Sequence, residues 1–237
     1  MINSPTHLLI SLALVFLLCL VTACKKEYTV HISFEVQING EPMQFGKPYS
    51  SPNGDGSYEV NDFKFYLSNI QLVSGGQHKD FIESDSYHLL TFPEDNRCTF
   101  SITGVPKEEY KGINFSIGVD DEGTFSKGYP GDLDPTNQMA WNWTQGYKFI
   151  LFEGLYTPGS NDEKIPLVYH VGFSENKKDL VFDLDSFTDI RFIVHLNQLF
   201  DNPNLIDFHT HPRILFNKEH SAMISENYAE SFIELRH

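Results

Sequence analysis

Basic residues are scarce in this sequence, which has 17 Lys and Arg against 32 Asp and Glu and a formal net charge of -15 over 237 residues. Such an acidic surface repels the phosphates of nucleic acids, so we predict no nucleic acid partner. It is compatible with cations, although acidity alone selects no ligand. The G-x-S-x-G nucleophile motif, the phosphate loop and the dinucleotide fingerprint are also missing, so we predict that the protein is not an enzyme.

No apolar run is long enough for a membrane-spanning helix. The stretch from Leu8 to Val21 is shorter than the roughly 20 residues that such a helix needs. It ends in Val21-Thr22-Ala23-Cys24, which is typical of a bacterial lipobox whose cysteine is lipidated and begins the mature protein. No Lys or Arg precedes the run, so an ordinary cleaved signal peptide is the alternative. We predict a lipoprotein of the bacterial cell envelope, on the periplasmic face or the cell surface.

Cysteine is nearly absent from the mature chain. If Cys19 leaves with the predicted signal and Cys24 carries the lipid that attaches the protein to the membrane, Cys98 remains as a single thiol. It cannot form an internal disulfide or a Cys-rich metal site, and we predict a small buried residue. The predicted parts are a signal peptide at 1–23, a lipid-anchored tether at 24–29 and one domain at 30–237.

Alternation of apolar and polar residues dominates this domain. Val30, Ile32, Phe34, Val36 and Ile38 alternate with polar residues up to Asn39-Gly40, which predicts a half-buried strand and a turn. The pattern recurs at 58–73, 86–92, 110–119, 147–155, 166–173, 180–184 and 189–196. Short helical turns are expected near 197–201 and 220–230, before a last strand at 231–235. We predict an all-β fold, a single antiparallel β sandwich with long loops and one or two short helical turns.

Histidines are the side chains best suited to bind a metal. Three lie in predicted strands and three follow near the C-terminus; they are His31, His170, His195, His209, His211 and His220. Two or three imidazoles without thiolates suit copper or zinc. A strand histidine is nevertheless more often a packed or surface residue. The oxygen ligands of Asn53-x-Asp55 and Asp132-x-Asp134 have the spacing of calcium ligands but lack a complete calcium loop, so solvated turns are the simpler interpretation.

Both tryptophans of the chain, Trp141 and Trp143, stand one residue apart. On a strand they would point to the same face, where two indoles can stack. Packing next to Met139 is the simplest interpretation, and Gly146-Tyr147 is predicted to bend the chain into the next strand.

The stretch GDLDPTNQMAWNWTQGYKFILFEG resembles the signature of the MbnP-like family of copper-binding proteins, which includes bacterial envelope lipoproteins. Four further segments agree with the family in order; they are FEVQINGEPM, YEVNDFKFYLSNIQLV, VPKEEYKGINFSIGVD and LVYHVGF. Together these segments cover most of the mature chain.

This resemblance implies a β sandwich that holds one copper ion through two histidines and a tryptophan oxidised to kynurenine, with a tryptophan-oxidising protein as partner. Ring opening would create an aromatic amine, whereas an intact indole N–H only donates. His170, in the pattern YHVG, is the first candidate ligand. Trp141 and Trp143 both match the W-x-W pattern, with Trp143 slightly preferred.

The second histidine is left open by the resemblance. His31 lies on the first strand, but relatives tend to place that histidine where this chain has Val36. His220 matches a histidine that relatives often have before the last helix. We therefore predict a copper-binding protein that acquires, stores or delivers the metal. The alternative is a metal-free β-sandwich module that recognises a protein or glycan partner through its loops.

Overall fold

A computed structural model describes residues 27–76, 78–92, 96–121, 123, 131–142, 146–160 and 163–236. In chain order the strands are β1 (Glu27–Ile38), β2 (Glu41–Pro42), β3 (Tyr49–Ser50), β4 (Gly56–Ser74), β5 (Phe81–Ile82), β6 (Tyr87–Thr91), β7 (Arg97–Pro106), β8 (Tyr110–Ile117), β9 (Ala140–Asn142), β10 (Gly146–Pro158), β11 (Ile165–Gly172), β12 (Lys178–Asp183), β13 (Asp189–His195), β14 (Arg213–Leu215) and β15 (Ile233–Leu235). Helix α1 spans Lys218–Glu230, and short 3-10 helices span Gly131–Leu133, Pro135–Asn137, Ser174–Asn176 and Leu196–Phe200.

The strands form two sheets. The smaller sheet has the order β15-β13-β1-β2, with β7 also paired to β1. The larger sheet has the order β12-β8-β4-β10-β11-β14, with β3, β5 and β6 attached to β4 and β9 attached to β10. The predicted all-β sandwich is confirmed. Most pairs are antiparallel, but β1 pairs with β13 and β11 pairs with β14 in the parallel direction.

The main core lies between the two sheets. The alternating residues of β1 all point into it, from Val30 to Ile38, with at most 1% of their surface exposed. Phe34 meets Phe65 and Phe115 of the larger sheet edge to face, with ring centroids 6.2 Å apart in each pair. A fully buried Phe stabilises the fold by about 1.5–3 kcal/mol relative to an exposed one, so these aromatic contacts hold the sheets together.

A second apolar cluster covers part of the outer face of the larger sheet. The segment 131–142 crosses this face, and its Leu133 and Met139 are buried there; the sheet contributes Tyr66, Tyr147, Phe149 and Leu151. Two tyrosines fix the segment, because Tyr66 Oη donates to the carbonyl of Asp132 at 2.7 Å and Tyr147 Oη donates to that of Leu133 at 2.6 Å. Trp141 follows in the same segment.

The structure differs from the prediction at the ends of the domain. Strand β1 begins at Glu27, so residues 27–29, which we predict as part of the tether, belong to the sheet. Helix α1 is longer than the one or two turns predicted at its position. The predicted signal peptide and the lipidation site at Cys24 lie outside the described residues. In the part of the chain that is described, no helix has both the length and the apolar character needed to cross a membrane.

Candidate functional site

His170 lies on the outer face of the larger sheet. Leu167, Tyr169 and Val171 of β11 are buried in the core, so His170, between the last two, points the other way. Registers across the sheet place it in one row with Lys64 of β4, Leu151 of β10 and Leu215 of β14. Its side chain is 15% exposed. The imidazole therefore stands at the border between the second apolar cluster and a polar part of the sheet.

Glu153 orients this imidazole. Its Oε1 lies 3.0 Å from His170 Nε2, on the neighbouring strand and one diagonal position away. A proton on Nε2 serves this hydrogen bond and leaves Nδ1 as an acceptor, which has no hydrogen-bond partner among the described residues. Burial lowers the pKa of His170, the contact with Glu153 opposes this, and the charge of Lys148 adds to the lowering. The imidazole is therefore neutral near pH 7 and able to act as a ligand.

Two ammonium groups accompany the two carboxylates around His170. Lys148 is 9% exposed and its Nζ donates to the carbonyl of Gln138 at 2.7 Å. Burial lowers the pKa of Lys148, while Glu153 and Asp62 oppose that effect. Lys64 pairs with Asp62 at 3.0 Å. Because the positive and negative charges balance, the imidazole lies in a polar setting without a large net charge.

Trp141 lies beside His170 on the same face. Its indole covers Gly172, which is two residues beyond His170 on β11, about 7 Å along the strand. The ring contacts Phe173 and Phe216, with centroids 5.2 and 4.8 Å away. The indole Nε1 is buried and has no hydrogen-bond partner among the described residues. An unpaired buried N–H costs free energy, so this part of the site is not optimised for stability alone.

A buried polar network holds Gly172 in place beneath the indole. Asn176 Nδ2 donates to the carbonyl of Gly172 at 2.6 Å, and Asn176 Oδ1 accepts from Ser225 Oγ at 3.2 Å. Tyr228 Oη donates to the carbonyl of Asn176. Ser225 and Tyr228 belong to α1, so the C-terminal helix fixes the backbone on which Trp141 rests.

The other predicted ligands do not all join this site. His31 points outward from the smaller sheet, where its Nδ1 lies 2.9 Å from Ser101 Oγ. The two sheets pack about 10 Å apart and His170 faces away from the core, so His31 lies on the opposite side of the sandwich. Trp143 lies outside the described residues, and its predicted place on the face of Trp141 stays a prediction.

His220 lies next to another histidine. It is in the first turn of α1, and its ring meets that of His211 edge to face, with centroids 4.5 Å apart. His209, the other half of the H-x-H motif, is exposed.

The carboxylates that have calcium-like spacing are engaged in turns. Asp55 accepts from Ser51 Oγ at 2.8 Å, and Asp134 accepts from the backbone N–H and the hydroxyl of Thr136 at 2.8 and 2.7 Å. Asp132 Oδ2 accepts from the backbone N–H of Leu89 at 2.8 Å. These bonds organise loops, as the simpler interpretation of the sequence predicts.

The hydrogen bond between Glu153 and His170 is the feature of this site that fits a copper ion. A carboxylate that holds one nitrogen of a histidine and leaves the other free is the usual second contact of a metal-bound imidazole. An intact indole donates only, so Trp141 contributes no ligand in its unmodified form. Within the described ranges no three His, Cys, Asp or Glu side chains converge as a metal-binding group. Nδ1 of His170 is therefore the ring nitrogen at this site that could accept a metal ion.

Sequence analysis missed Glu153, Lys148 and Gly172 as parts of the site. The first two lie in YKFILFEG, the strand directly after the tryptophans. Charged residues on the outer face of a strand that is otherwise apolar were the available signal.

The fold and the site define a β-sandwich protein with a histidine and a tryptophan on the same outer sheet face. The MbnP family model matches residues 27–220, and the chain belongs to this family, as the resemblance of its motifs predicts. The structure of MbnP from Methylosinus trichosporium is similar, with a TM-score of 0.57 and 19% sequence identity over 76% of this chain and 80% of that chain. No curated protein matches the chain.

Proposed function

We propose that the protein is a copper-binding lipoprotein of the bacterial cell envelope that acquires, stores or delivers the metal. The observation that carries this proposal is the pair His170 and Glu153, because the carboxylate at 3.0 Å occupies Nε2 and leaves Nδ1 for an ion. Membership of the MbnP family and the net charge of -15 also support a cation as ligand. The protein performs no reaction in this proposal, and it holds one copper ion beside Trp141.

The neighbouring indoles complete the proposed site. The indole of Trp141 covers Gly172, which is two residues after His170 on β11. Trp143 follows Trp141 by two positions in the chain. If either indole is opened by an oxidising partner in the envelope, the aromatic amine becomes a further nitrogen ligand near the imidazole. Mass spectrometry of the peptide 139–149 from native protein identifies such a change and the residue that carries it.

Copper titration against a competing chelator tests the role of His170. We expect the purified protein to bind one copper ion at this site, and His170→Ala to weaken that binding by about tenfold or more, since even removal of an outer contact costs 10- to 100-fold. His78→Ala is the matched control, because His78 is 53% exposed and pairs with Glu108 across 3.7 Å. Equal copper affinity in all three proteins would remove His170 from the site.

Metal analysis of protein from its native host separates this function from the alternative. A metal-free protein with unmodified tryptophans would favour a binding module that recognises a protein or glycan through its loops.

A further inference from the structure

His211 and His220 form a pair of imidazoles apart from His170. Their ring centroids are 4.5 Å apart and their planes are inclined by 85°. Both residues are half-buried. One comes from the turn that precedes β14 and the other from the first turn of α1, so the fold brings together two residues that are nine positions apart.

The backbone on each side of the pair is held firmly. The N–H of His211 donates to the carbonyl of Asp207 at 2.8 Å, and its own carbonyl accepts from the hydroxyl of Tyr169 at 2.7 Å. The N–H of His220 donates to Oδ1 of the helix cap Asn217 at 2.9 Å. The positions of the two Cα atoms are therefore fixed by bonds that do not involve the rings.

Ring nitrogens remain available in this pair. Nδ1 of His211 lies 2.8 Å from Oγ1 of Thr210, which leaves Nε2 of that ring without a hydrogen-bond partner among the described residues. The ring of His220 forms no hydrogen bond with the described residues. A neutral imidazole whose other nitrogen is hydrogen-bonded is the usual form of a metal ligand.

The distance between the rings suits one metal ion. A metal–nitrogen bond of about 2.0 Å places the centre of a bound imidazole roughly 3.2 Å from the ion, and two such rings at a right angle have centres about 4.5 Å apart. Tetragonal copper(II) binds imidazoles in this cis arrangement, with water in its remaining positions. The torsion that turns a histidine ring is soft, so rotation about it could direct one nitrogen of each ring to a common point.

This pair is separated from His170 by the length of β14. The register places Arg213 opposite Val168 and Leu215 opposite His170. His211 precedes Arg213, so it lies beyond the end of the strand that is farther from His170. The carboxylate of Asp207 lies in the same turn as His211, where its Oδ1 accepts from the N–H of His209 at 2.8 Å.

We propose that His211 and His220 form a copper(II) site that is independent of His170. The two imidazoles occupy neighbouring positions of the ion, and water completes its shell. Since neither residue contacts the site of the proposed function, copper binding can be lost at one of the two sites and kept at the other.

Copper(II) titration of the purified His170→Ala protein, followed by electron paramagnetic resonance, tests this site alone. We expect one bound ion whose spectrum shows nitrogen ligands. Adding His211→Ala or His220→Ala should weaken binding by about tenfold or more. His209→Ala is the matched control, because this exposed histidine is in the same turn, and it should leave the affinity unchanged.

Two results would overturn the proposal. One is no copper bound by the His170→Ala protein, and the other is an undiminished nitrogen-coupled spectrum after either substitution in the pair. Urea unfolding of each variant shows whether the fold is kept. His211→Asn and His220→Gln, which keep a polar side chain of similar size, replace any alanine variant that unfolds early.

Discussion

Trp141 rests directly on Gly172. Atoms Cζ3 and Cη2 of the indole lie 2.7 and 2.8 Å from the point where a Cβ on Gly172 would stand, and the carbonyl oxygen of Tyr147 lies 2.4 Å from it. These distances are shorter than any ordinary contact, so this position admits only glycine without movement of the indole or the strand.

Gly172→Ala should therefore destabilise the protein by about 1–3 kcal/mol, the usual cost of overpacking, and displace the indole. Urea unfolding gives the free energy, and the emission spectrum of tryptophan reports the displacement. Gly75→Ala is the control, because its Cβ would meet only the flexible chain of Lys111, at 3.1 Å. An unchanged spectrum together with unchanged stability in Gly172→Ala would contradict the contact.

Asn176 should be as important as Gly172 for the support of the indole. It is 1% exposed, and Asn176→Ala would remove the amide that donates to the carbonyl of Gly172 at 2.6 Å, while Ser225 Oγ would keep its bond to the carbonyl of Ala222 at 2.8 Å. Loss of a buried partner costs about 1–3 kcal/mol. Asn202→Ala serves as the control, since Asn202 is exposed and makes a single long bond of 3.4 Å to Ser231. Equal urea midpoints for both variants would argue against the network.

The strands of the core were predictable from sequence because each has a buried face with period two. The same rule also applies to β7, where Cys98, Phe100 and Ile102 alternate with polar residues, and sequence analysis overlooked it. Parallel pairing of β1 with β13 was beyond such reasoning. These strands are more than 150 residues apart in the chain, and no local pattern encodes their register.

Part of the candidate site was also predictable from the sequence. His170 and the tryptophans stand in recognisable motifs, whereas Glu153 becomes a partner of His170 only through the register of β10 with β11. A slip of one residue would turn Glu153 to the core side. The contact between His211 and His220 depends likewise on the path of the chain around β14.

The free energy of unfolding should decrease as pH is lowered because of His170. Burial lowers its pKa in the folded protein below the ordinary 6.5, so in mild acid the unfolded chain binds a proton that the folded chain does not bind. The contribution of this neutral imidazole is complete above the ordinary value and decreases as pH falls below it. His170→Gln should make the free energy of unfolding less dependent on pH between about pH 7.5 and 5.

Urea unfolding at several pH values measures this slope. Asn202→Ala is the control, since this exposed amide takes up no proton and its removal should leave the slope unchanged. The same slope in wild type and His170→Gln would show that His170 takes up its proton equally in the folded and the unfolded states.

Lys148 and Glu153 should shift the titration of His170 in opposite directions. The ammonium of Lys148 lowers the pKa of His170 in addition to burial, while the carboxylate of Glu153 raises it. Lys148→Met should therefore raise the pKa of His170, and Glu153→Gln should lower it further. Nuclear magnetic resonance titration of the imidazole measures both shifts, and Lys111→Met, which changes a side chain that is 62% exposed, is the control.

The opposite signs make this test specific for charge. A loss of packing around His170 would expose the ring in both variants and move its pKa toward the ordinary value each time. Shifts in the same direction would therefore contradict the electrostatic account. If the signs are opposite, the copper affinity at His170 should rise in Lys148→Met. One reason is that this variant also removes a positive charge that repels the ion. Higher copper affinity in Lys148→Met than in wild type would then connect the charge balance of the sheet face to the proposed function.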